Sequence, residues 1–462
     1  MGVTQYFCEA AWLGGAAAAR DVLVTVEGDR FAAVEAGARR PSDAVVLDGL
    51  SLPGFANVHS HAFHRALRGW AEGPGSFWTW RERMYAVAGV LDPASYRRLA
   101  RAVYAEMVLA GFSAVGEFHY LHHAEGGRPY EDPNAMGRAL LDAAADAGIR
   151  TTLLDACYLE RGPGQPADGV QERFSDGDTT AWAARADALA ADAGGRPGVR
   201  IGAAVHSLRA VAPPAVEAVA TWAAARSVPL HVHVSEQPAE NEAVIAAYGA
   251  SPSALLARAG ALGRGTTAVH ATHLGAADVQ VLGASGTTVG MCPTTERFLA
   301  DGIGPAPALA DAGCPLALGT DCHAVVDPFE EMRALELDER LASRQRGRFS
   351  AAALLEAATA AGHAALGWPD AGRLAPGAPA DLVTVGLGSV RLAGAGLDHV
   401  LERVVFAAGA ADVRHVVVGG CTVVQDGRHL VVGDVAGELA AAIGEVLGAA
   451  GGAAGGDSGA RP

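Results

Sequence analysis

Between residue 53 and about residue 375, short apolar segments alternate with longer Ala-rich segments whose apolar positions follow a helical period. The apolar segments have the length and the β-branched content of buried strands. Eight of them are predicted to be strands: 55–59, 113–119, 150–157, 199–206, 229–235, 266–270, 287–292 and 315–320. Helices are predicted between most of them, as at 96–110, 135–147, 179–191 and 214–226. Eight such units predict an α/β fold, a (β/α)8 barrel of the TIM type.

Both ends of the chain show a different pattern, in which short β segments are separated by tight turns. The predicted strands are 22–26, 30–34 and 44–47 near the N-terminus, and 381–385, 413–418 and 421–424 near the C-terminus. We expect the two ends to pair into a small β-sandwich domain beside the barrel. The predicted boundaries are 1–52 and 376–435 for the two halves of the sandwich, 53–375 for the barrel, and 436–462 for a C-terminal helix and a disordered tail. The tail is predicted from about Gly448, where Gly, Ala and Ser dominate without an apolar period.

The charged residues exclude several functions. The 462-residue chain has a formal net charge of −16, whereas nucleic-acid binders usually carry a basic surface, so we expect no nucleic-acid partner. All 35 residues counted as Lys and Arg are arginine. The lack of lysine excludes Schiff-base catalysis, a lysine-dependent phosphate loop and a pair of metal ions bridged by a carboxylated lysine.

The six cysteines are scattered along the chain and form no Cys-x-x-Cys pair, which is typical of proteins in a reducing cytosol. No signal-peptide pattern is visible at the N-terminus, and no long uncharged apolar run predicts a membrane span. We therefore expect a cytoplasmic protein that does not contact membranes.

Candidate chemistry lies where the predicted barrel strands end. The functional groups of such barrels come from the C-terminal ends of the strands. Most of these ends carry a residue that binds metal or transfers protons: His59 and His61, Glu117, His119, His206, His231 and His233, His270 and Asp321. A single residue of this kind is usually structural, because buried histidines commonly bond a backbone carbonyl. Their repetition at equivalent strand ends favours one shared active site.

His59 and His61 lie one residue apart at the end of the first barrel strand, so their side chains share a face. Neutral imidazole is the commonest nitrogen ligand of zinc, and a catalytic site needs three or four protein ligands. We predict His233 and Asp321 as the other ligands, and His231 stays open as an alternative to His233 because the two share a face. Since no lysine is available to bridge two ions, we expect one divalent metal ion, Zn²⁺.

This arrangement of strand-end residues resembles the amidohydrolase superfamily. The Pro53-Gly54-Phe55 entry and the stretch Pro379-Ala380-Asp381-Leu382-Val383 are also similar to it, so the resemblance covers nearly the whole chain. His233-x-x-Glu236 resembles the mononuclear deaminases of this superfamily.

Five stretches resemble a narrower group, the deiminases that act on N-formimidoyl-L-glutamate: 59–66, 77–82, 117–120, 206–211 and 269–273. The most specific are Phe77-Trp78-Thr79-Trp80-Arg81-Glu82 and His206-Ser207-Leu208-Arg209. The resemblance implies hydrolysis of N-formimidoyl-L-glutamate to N-formyl-L-glutamate and ammonia, a step of histidine degradation. It also implies that His64 lies near the formimidoyl nitrogen.

The chemistry of the candidate residues supports a hydrolytic deamination. Zinc lowers the pKa of a water molecule to about 7, which supplies hydroxide at neutral pH. We predict that Glu236 takes a proton from this water and delivers it to the leaving nitrogen. His270 is predicted to hydrogen-bond the developing charge, and Asp321 to accept the remaining proton.

An acidic small-molecule substrate needs local positive charge in a chain this acidic, and arginine binds carboxylates in a bidentate way. Most arginines are expected to form surface salt bridges. Arg209, on the loop after strand four, and Arg81, in an aromatic loop after strand one, are the exceptions that we assign to the substrate. Tyr120 and His206 are expected to add hydrogen bonds.

Two alternatives remain open from the sequence. The first is another mononuclear deaminase of the guanine or adenosine-derivative type, which would need ring-stacking and amide contacts instead of two arginines. The second is a catalytically inactive barrel, which would lack metal ligands. We also expect a homodimer.

Overall fold

The computed structural model describes residues 2–394 and 396–455. The strands are β1 Val3–Ala11, β2 Ala19–Glu27, β3 Arg30–Glu35, β4 Val45–Pro53, β5 Phe55–Ser60, β6 Phe112–His119, β7 Arg150–Cys157, β8 Glu160–Gly162, β9 Gln165–Pro166, β10 Val199–Ser207, β11 Leu230–Val234, β12 Thr266–His270, β13 Thr288–Met291, β14 Leu316–Leu318, β15 Leu382–Val385, β16 Val413–Val418, β17 Cys421–Gln425 and β18 Arg428–His429.

The helices lie mainly between the barrel strands. They are α1 Phe77–Val90, α2 Pro93–Leu109, α3 Ala135–Ala147, α4 Thr179–Ala193, α5 Pro213–Arg226, α6 Pro238–Tyr248, α7 Pro252–Arg258, α8 Ala276–Ser285, α9 Pro293–Phe298, α10 Ala306–Asp311, α11 Pro328–Ser343, α12 Ala351–Ala358, α13 Ala360–Ala365, α14 Val400–Ala407 and α15 Val435–Gly455.

Eight parallel strands form the barrel, in the order β5, β6, β7, β10, β11, β12, β13 and β14. The predicted (β/α)8 barrel is confirmed, and each of its eight predicted strands is present with small shifts at the ends. The strands are almost continuously buried, because helices cover the outside of the sheet and side chains fill its interior.

Backbone contacts between the first and the last strand close the barrel. The amide of Asp321 donates to the carbonyl of His59 at 2.9 Å, and the amide of His61 donates to the carbonyl of Asp321 at 3.3 Å. The buried Asn57 side chain adds two bonds, donating to Thr320 Oγ1 at 2.7 Å and accepting from the Thr320 amide at 3.0 Å. The ends of β5 and β14 are therefore fixed against each other.

Segments from both ends of the chain pair beside the barrel, as the sequence predicts, and they form one eight-stranded sheet. Its order is β18-β17-β16-β15-β4-β1-β2-β3. Edge strand β3 bonds back to the segment before β15, since Phe31 N donates to Ala378 O at 2.9 Å, so the sheet curls around a small core of its own. The sequence analysis missed β1, which pairs in parallel with β4 and antiparallel with β2.

A buried ion pair joins this sheet to the N-terminal end of the barrel. Arg150, the first residue of β7, donates to both carboxylate oxygens of Asp381 at 2.7 and 3.2 Å. Asp381 also accepts from Gly419 N at 2.7 Å. Gly54 lies beside this contact, and a Cβ there would come within 2.3 Å of Ser113 Oγ, so glycine is required at the junction.

The C-terminal helix α15 packs against α2, to which it is also linked by ion pairs of Arg101 with Glu438 and of Arg98 with Glu445. It extends to Gly455, so residues 448–455 are helical, contrary to the tail predicted from about Gly448. The rest of that predicted tail lies outside the described residues. Among the helices that the structure describes, none has the length and apolar character needed to cross a bilayer.

Candidate active site

The first functional turn follows β5 and is held by a buried glutamate. Glu117 Oε2 accepts from Ser60 Oγ at 2.6 Å, and its Oε1 accepts from the Ala62 amide at 2.7 Å. Burial raises the pKa of Glu117 to about 7. These bonds fix the backbone on both sides of His61, and so fix where His59 and His61 point.

His59, His61, His233 and Asp321 meet at one point above the barrel; we call them the ligand cluster. His59 Nε2 lies 3.0 Å from His233 Nε2, and Asp321 Oδ1 lies 3.4 Å from the Nε2 atoms of both His59 and His61. The ligand atoms of the three histidines all lie within 4.8 Å of one another. The predicted ligands thus come together on strands β5, β11 and β14 or directly after them.

The hydrogen bonds around the ligand cluster leave its ring nitrogens ready to bind a cation. His61 Nδ1 donates to Phe118 O at 2.9 Å, and His233 Nδ1 donates to His206 O at 2.7 Å. Since a carbonyl only accepts, each Nδ1 carries the proton and each Nε2 keeps its lone pair. Burial, and the neighbouring histidines, lower the pKa of His59, His61 and His233, which favours the neutral form that metals need. The residues present therefore fit a divalent metal ion with nitrogen and carboxylate ligands.

His231, the alternative on the same strand, lies deeper in the barrel. Its Nε2 donates to Ala365 O at 3.0 Å, and it belongs to none of the candidate metal groups found among the described residues. The structure therefore places His233, and not His231, in the ligand cluster.

A second group of ionisable side chains lies beside the ligand cluster. His270 Nε2 is 3.8 Å from Glu236 Oε1 and 3.8 Å from Asp321 Oδ2. Burial lowers the pKa of His270, but the carboxylates of Glu236, Glu296 and Asp321 outweigh this and raise it to about 10. Burial raises the pKa of Glu236. The three predicted catalytic residues, Glu236, His270 and Asp321, are thus in mutual reach.

The backbone at these positions is strained. The φ angles of Ser235, His270 and Asp321 are +53°, +68° and +40°, in the left-handed region that side chains other than glycine rarely adopt. Such strain persists where the surrounding structure enforces it, and it is concentrated at functional sites.

Two carboxylates that sequence analysis missed support this group. Glu296, at the start of α9, lies 3.5 Å from His270 Nδ1 and accepts from the Cys292 amide at 2.9 Å. Glu240 accepts from the Glu236 amide at 3.1 Å, and burial raises its pKa to about 7. Both lie on helices that follow a strand, outside the strand-end pattern on which the predictions were based.

A cavity of about 260 Å³ opens over the ligand cluster. Glu236, His270 and Asp321 line one end of it, and Arg81 and Arg209 line another part, which we call the arginine end. Arg209 Nη1 donates to Arg161 O at 3.0 Å, and Arg81 stacks over the Trp78 ring at 4.3 Å.

The two guanidinium groups have no carboxylate partner within 4.0 Å among the residues that the structure describes. Burial lowers the pKa of Arg81, and the charge of Arg209 lowers it further. The arginine end of the cavity thus holds two positive charges without a direct salt bridge, and of these the charge of Arg209 is favoured by the more distant carboxyl group of Glu240.

The other predicted binding residues line the same cavity. His64 Nε2 and Tyr120 Oη are 2.9 Å apart, while His64 Nδ1 is buried and has no partner among the described residues. The ring of His206 packs edge-on against Tyr158, with centroids 4.6 Å apart. His273 is not part of the cavity lining, and its Nε2 donates to Asp301 O at 2.8 Å.

Two tyrosines and one glutamine complete the arginine end and were also missed by sequence analysis. Tyr85 lies on α1 and Tyr158 directly after β7, and both line the cavity. The buried Gln171 Nε2 donates to Tyr85 Oη at 2.9 Å and to Tyr158 Oη at 2.7 Å. Nothing in their sequence context marks them, since tyrosines on helices and loops are common and the contact is long-range.

Comparisons with known proteins identify amidohydrolases and deaminases as relatives of this chain. A family model described as "Amidohydrolase family" matches residues 50–423. The chain is 40% identical over 427 residues to formimidoylglutamate deiminase of Pseudomonas aeruginosa. This alignment covers 89% of this chain and 92% of that protein. It is 31% identical to 5-methylthioadenosine/S-adenosylhomocysteine deaminase of Natronomonas pharaonis, over 82% of each chain.

Solved structures agree with this fold. An amidohydrolase from Brucella melitensis superposes with a TM-score of 0.90 at 34% identity, over 96% of this chain and 100% of that one. An adenosine deaminase from Xanthomonas campestris, solved with bound zinc, superposes with a TM-score of 0.83 at 25% identity, over 97% of this chain and 98% of that one.

Replacing His59 or His61 by alanine is expected to remove most of the metal and abolish turnover, because each change deletes a converging ligand atom. Metal content is measured by mass spectrometry on the purified variants. His415→Ala, a half-buried histidine on strand β16 of the terminal sheet, is the matched control. Near-stoichiometric metal with full turnover in either cluster variant would contradict the assignment.

Proposed function

This chain belongs to the amidohydrolase family, and from that membership we propose that it hydrolyses N-formimidoyl-L-glutamate to N-formyl-L-glutamate and ammonia. It is a hydrolase that cleaves a C–N bond, as its family and its deaminase relatives indicate. The relative that covers most of this chain at 40% identity is named for the same substrate.

The observation that carries the choice of substrate is the arginine end of the cavity. A partly buried guanidinium without a salt-bridge partner is costly, so two of them in one cavity favour a ligand that brings two negative charges. N-Formimidoyl-L-glutamate carries two carboxylates, and arginine binds carboxylates in a bidentate way. A neutral purine would leave both guanidinium groups without a salt-bridge partner, which argues against the adenosine and guanine alternatives.

The other end of the cavity fits the reacting group. In the reaction, water adds to the formimidoyl carbon, the bond from this carbon to the terminal nitrogen breaks, and both water protons end on the departing ammonia. His59, His61, His233 and Asp321 would hold a divalent metal ion, which would supply an activated water at neutral pH.

Proton movements fall to residues of the chain. Glu236 accepts a proton from the attacking water and passes it to the formimidoyl nitrogen, a role that fits its raised pKa. Asp321 accepts the second proton through the oxygen that faces His270 and passes it to the same nitrogen, which then leaves as ammonia. His270 donates a hydrogen bond to the oxygen that becomes the formyl carbonyl, and His64 Nδ1 and Tyr120 lie on the side where the nitrogen leaves.

We propose zinc as the metal, because the chemistry of the ligand cluster suits it and a zinc-bound deaminase shares the fold. We also propose that the protein acts in histidine degradation and that it is cytoplasmic. Five of the six free cysteines are buried thiols, which supports a reducing compartment.

Product analysis tests the function directly. Purified, metal-loaded protein with N-formimidoyl-L-glutamate is expected to release ammonia and N-formyl-L-glutamate in equal amounts, measured by enzymatic ammonia assay and by NMR. S-Adenosylhomocysteine and guanine serve as comparison substrates and are expected to release little ammonia. Formamide together with L-glutamate as products, or faster ammonia release from a purine, would contradict the proposal.

Glu236→Gln is expected to retain the metal and to lose turnover by about 10²–10⁴-fold or more, because the amide cannot carry the proton. Turnover and metal content are measured together. Glu217→Gln, at an exposed position of α5, is the control. A Glu236→Gln variant that turns over at nearly the parent rate would assign the proton transfer to another residue.

Arg209→Met keeps much of the side-chain length and removes the charge, so kcat/KM for N-formimidoyl-L-glutamate is expected to fall by about a hundredfold or more. The metal is expected to remain, because no ligand is changed. Arg200→Met is the matched control, since Arg200 lies near the other end of the same strand, β10, and stacks on Trp368. Unchanged kcat/KM in Arg209→Met would remove the argument for an acidic substrate.

A further inference from the structure

Gln171 holds two tyrosines of the cavity through one amide nitrogen. It lies in the short 3-10 helix Gly169–Phe174 and is 6% exposed. Its Nε2 lies 2.9 Å from Tyr85 Oη and 2.7 Å from Tyr158 Oη. These tyrosines line the cavity together with Arg81 and Arg209, whereas Gln171 stands behind them.

The chemistry of the Gln171 amide group determines which partner donates each of these hydrogen bonds. A primary amide nitrogen has two N–H donors and accepts no hydrogen bond. Both phenol oxygens must therefore accept from Gln171, and neither hydroxyl can donate to it. Each tyrosine keeps its single O–H free to donate to another acceptor, and the cavity is the space that both side chains share.

We propose that Gln171 is a positioning residue that makes Tyr85 and Tyr158 hydrogen-bond donors to a substrate carboxylate at the arginine end of the cavity. The inference rests on the proposed function. It extends that function because the two oriented hydroxyls make the cavity select carboxylates over uncharged groups. The substrate class is an acyclic diacid.

The surroundings support the donor role. Burial raises the pKa of Tyr85 to about 12, so its hydroxyl keeps the proton at neutral pH. Arg81 Cζ lies over the face of the Tyr85 ring, 5.5 Å from its centre, so the guanidinium and the phenol are neighbours at the arginine end. A carboxylate has about four lone-pair sites, and a bidentate arginine uses two of them, so phenol donors can satisfy the others.

The same arrangement disfavours a carboxamide. At the arginine end the NH₂ group of an amide would face guanidinium N–H and phenol O–H donors, which cannot accept its hydrogens. Sites built to bond one particular group reject analogues that cannot make the bond, because buried polar groups are then left without partners.

The experiment compares Gln171→Glu and Gln171→Met with the parent enzyme. A glutamate side chain only accepts hydrogen bonds, so the tyrosine hydroxyls would donate to it and could no longer donate to the substrate. Methionine has a similar length but forms no hydrogen bond with either tyrosine. The substrates are N-formimidoyl-L-glutamate and N-formimidoyl-L-glutamine. In both variants KM for the diacid is expected to rise about tenfold or more, with kcat less affected, and the preference for the diacid over the amide is expected to fall by a similar factor.

A mutant cycle separates positioning from a general loss of structure. Tyr85→Phe and Tyr158→Phe are each expected to raise KM for the diacid, while in the double Phe background Gln171→Met is expected to have little further effect, because the hydroxyls it orients are gone. Metal content and thermal unfolding check folding, and Gln345→Glu, at an exposed position, is the control for the added charge. An undiminished Gln171→Met effect in the double Phe background would overturn the proposal.

Two further outcomes are also decisive. Gln171→Glu with parent KM and parent selectivity would mean that the glutamine presents its oxygen to the tyrosines, which overturns the donor assignment. Calorimetric binding of N-formyl-L-glutamate to the metal-loaded proteins separates this inference from the proposed function. Binding that weakens about tenfold in the Gln171 variants, with no hydrolysis by the parent, would refute the function alone, and absence of binding to the parent would refute the inference.

Discussion

Closure of the barrel between β5 and β14 is the constraint on which the rest of the site depends. The backbone of Asp321 bonds to the backbones of His59 and His61, so the carboxylate meets the imidazoles only when the first and last strands meet. Several ring lone pairs then converge in a buried space and repel one another unless a cation lies between them. Metal binding and barrel closure therefore stabilise each other, because the binding free energy is available only to the folded chain.

Two arginines that line the cavity carry a charge opposite to that of the molecule. The chain carries a net charge of −16, yet Arg81 and Arg209 share a cavity without a carboxylate partner among the described residues. Keeping two such charges partly buried and unpaired lowers stability in the free protein, and an anionic ligand restores it on binding. The charge of the substrate is thus determined by residues that line the cavity, and it cannot be inferred from the net charge of the chain.

Sequence reasoning was most effective where a feature repeats. Eight alternating units predicted the barrel, and the period of two along a strand brought His59 and His61 together, because both patterns are local. Gln171, Tyr85 and Glu296 were missed because they act from helices and loops, and only long-range folding makes them partners. Strand β1 was missed for a related reason: its buried positions include small residues such as Cys8 and Ala10, which give weak alternation.

The shared terminal sheet also has a consequence for synthesis on the ribosome. Strand β4 pairs with β15, and Pro53 lies opposite Leu382, so about 330 residues must be translated before β4 gains its second neighbour. At a translation rate of roughly 5–20 residues per second, the edge of β4 stays unpaired for roughly 15 to 65 seconds. During this time β1, β2 and β4 present an open strand edge to other nascent chains, and such edges invite intermolecular pairing. Chaperone demand should therefore fall on the N-terminal strands, which are far in sequence from the C-terminal strands that finally pair with them.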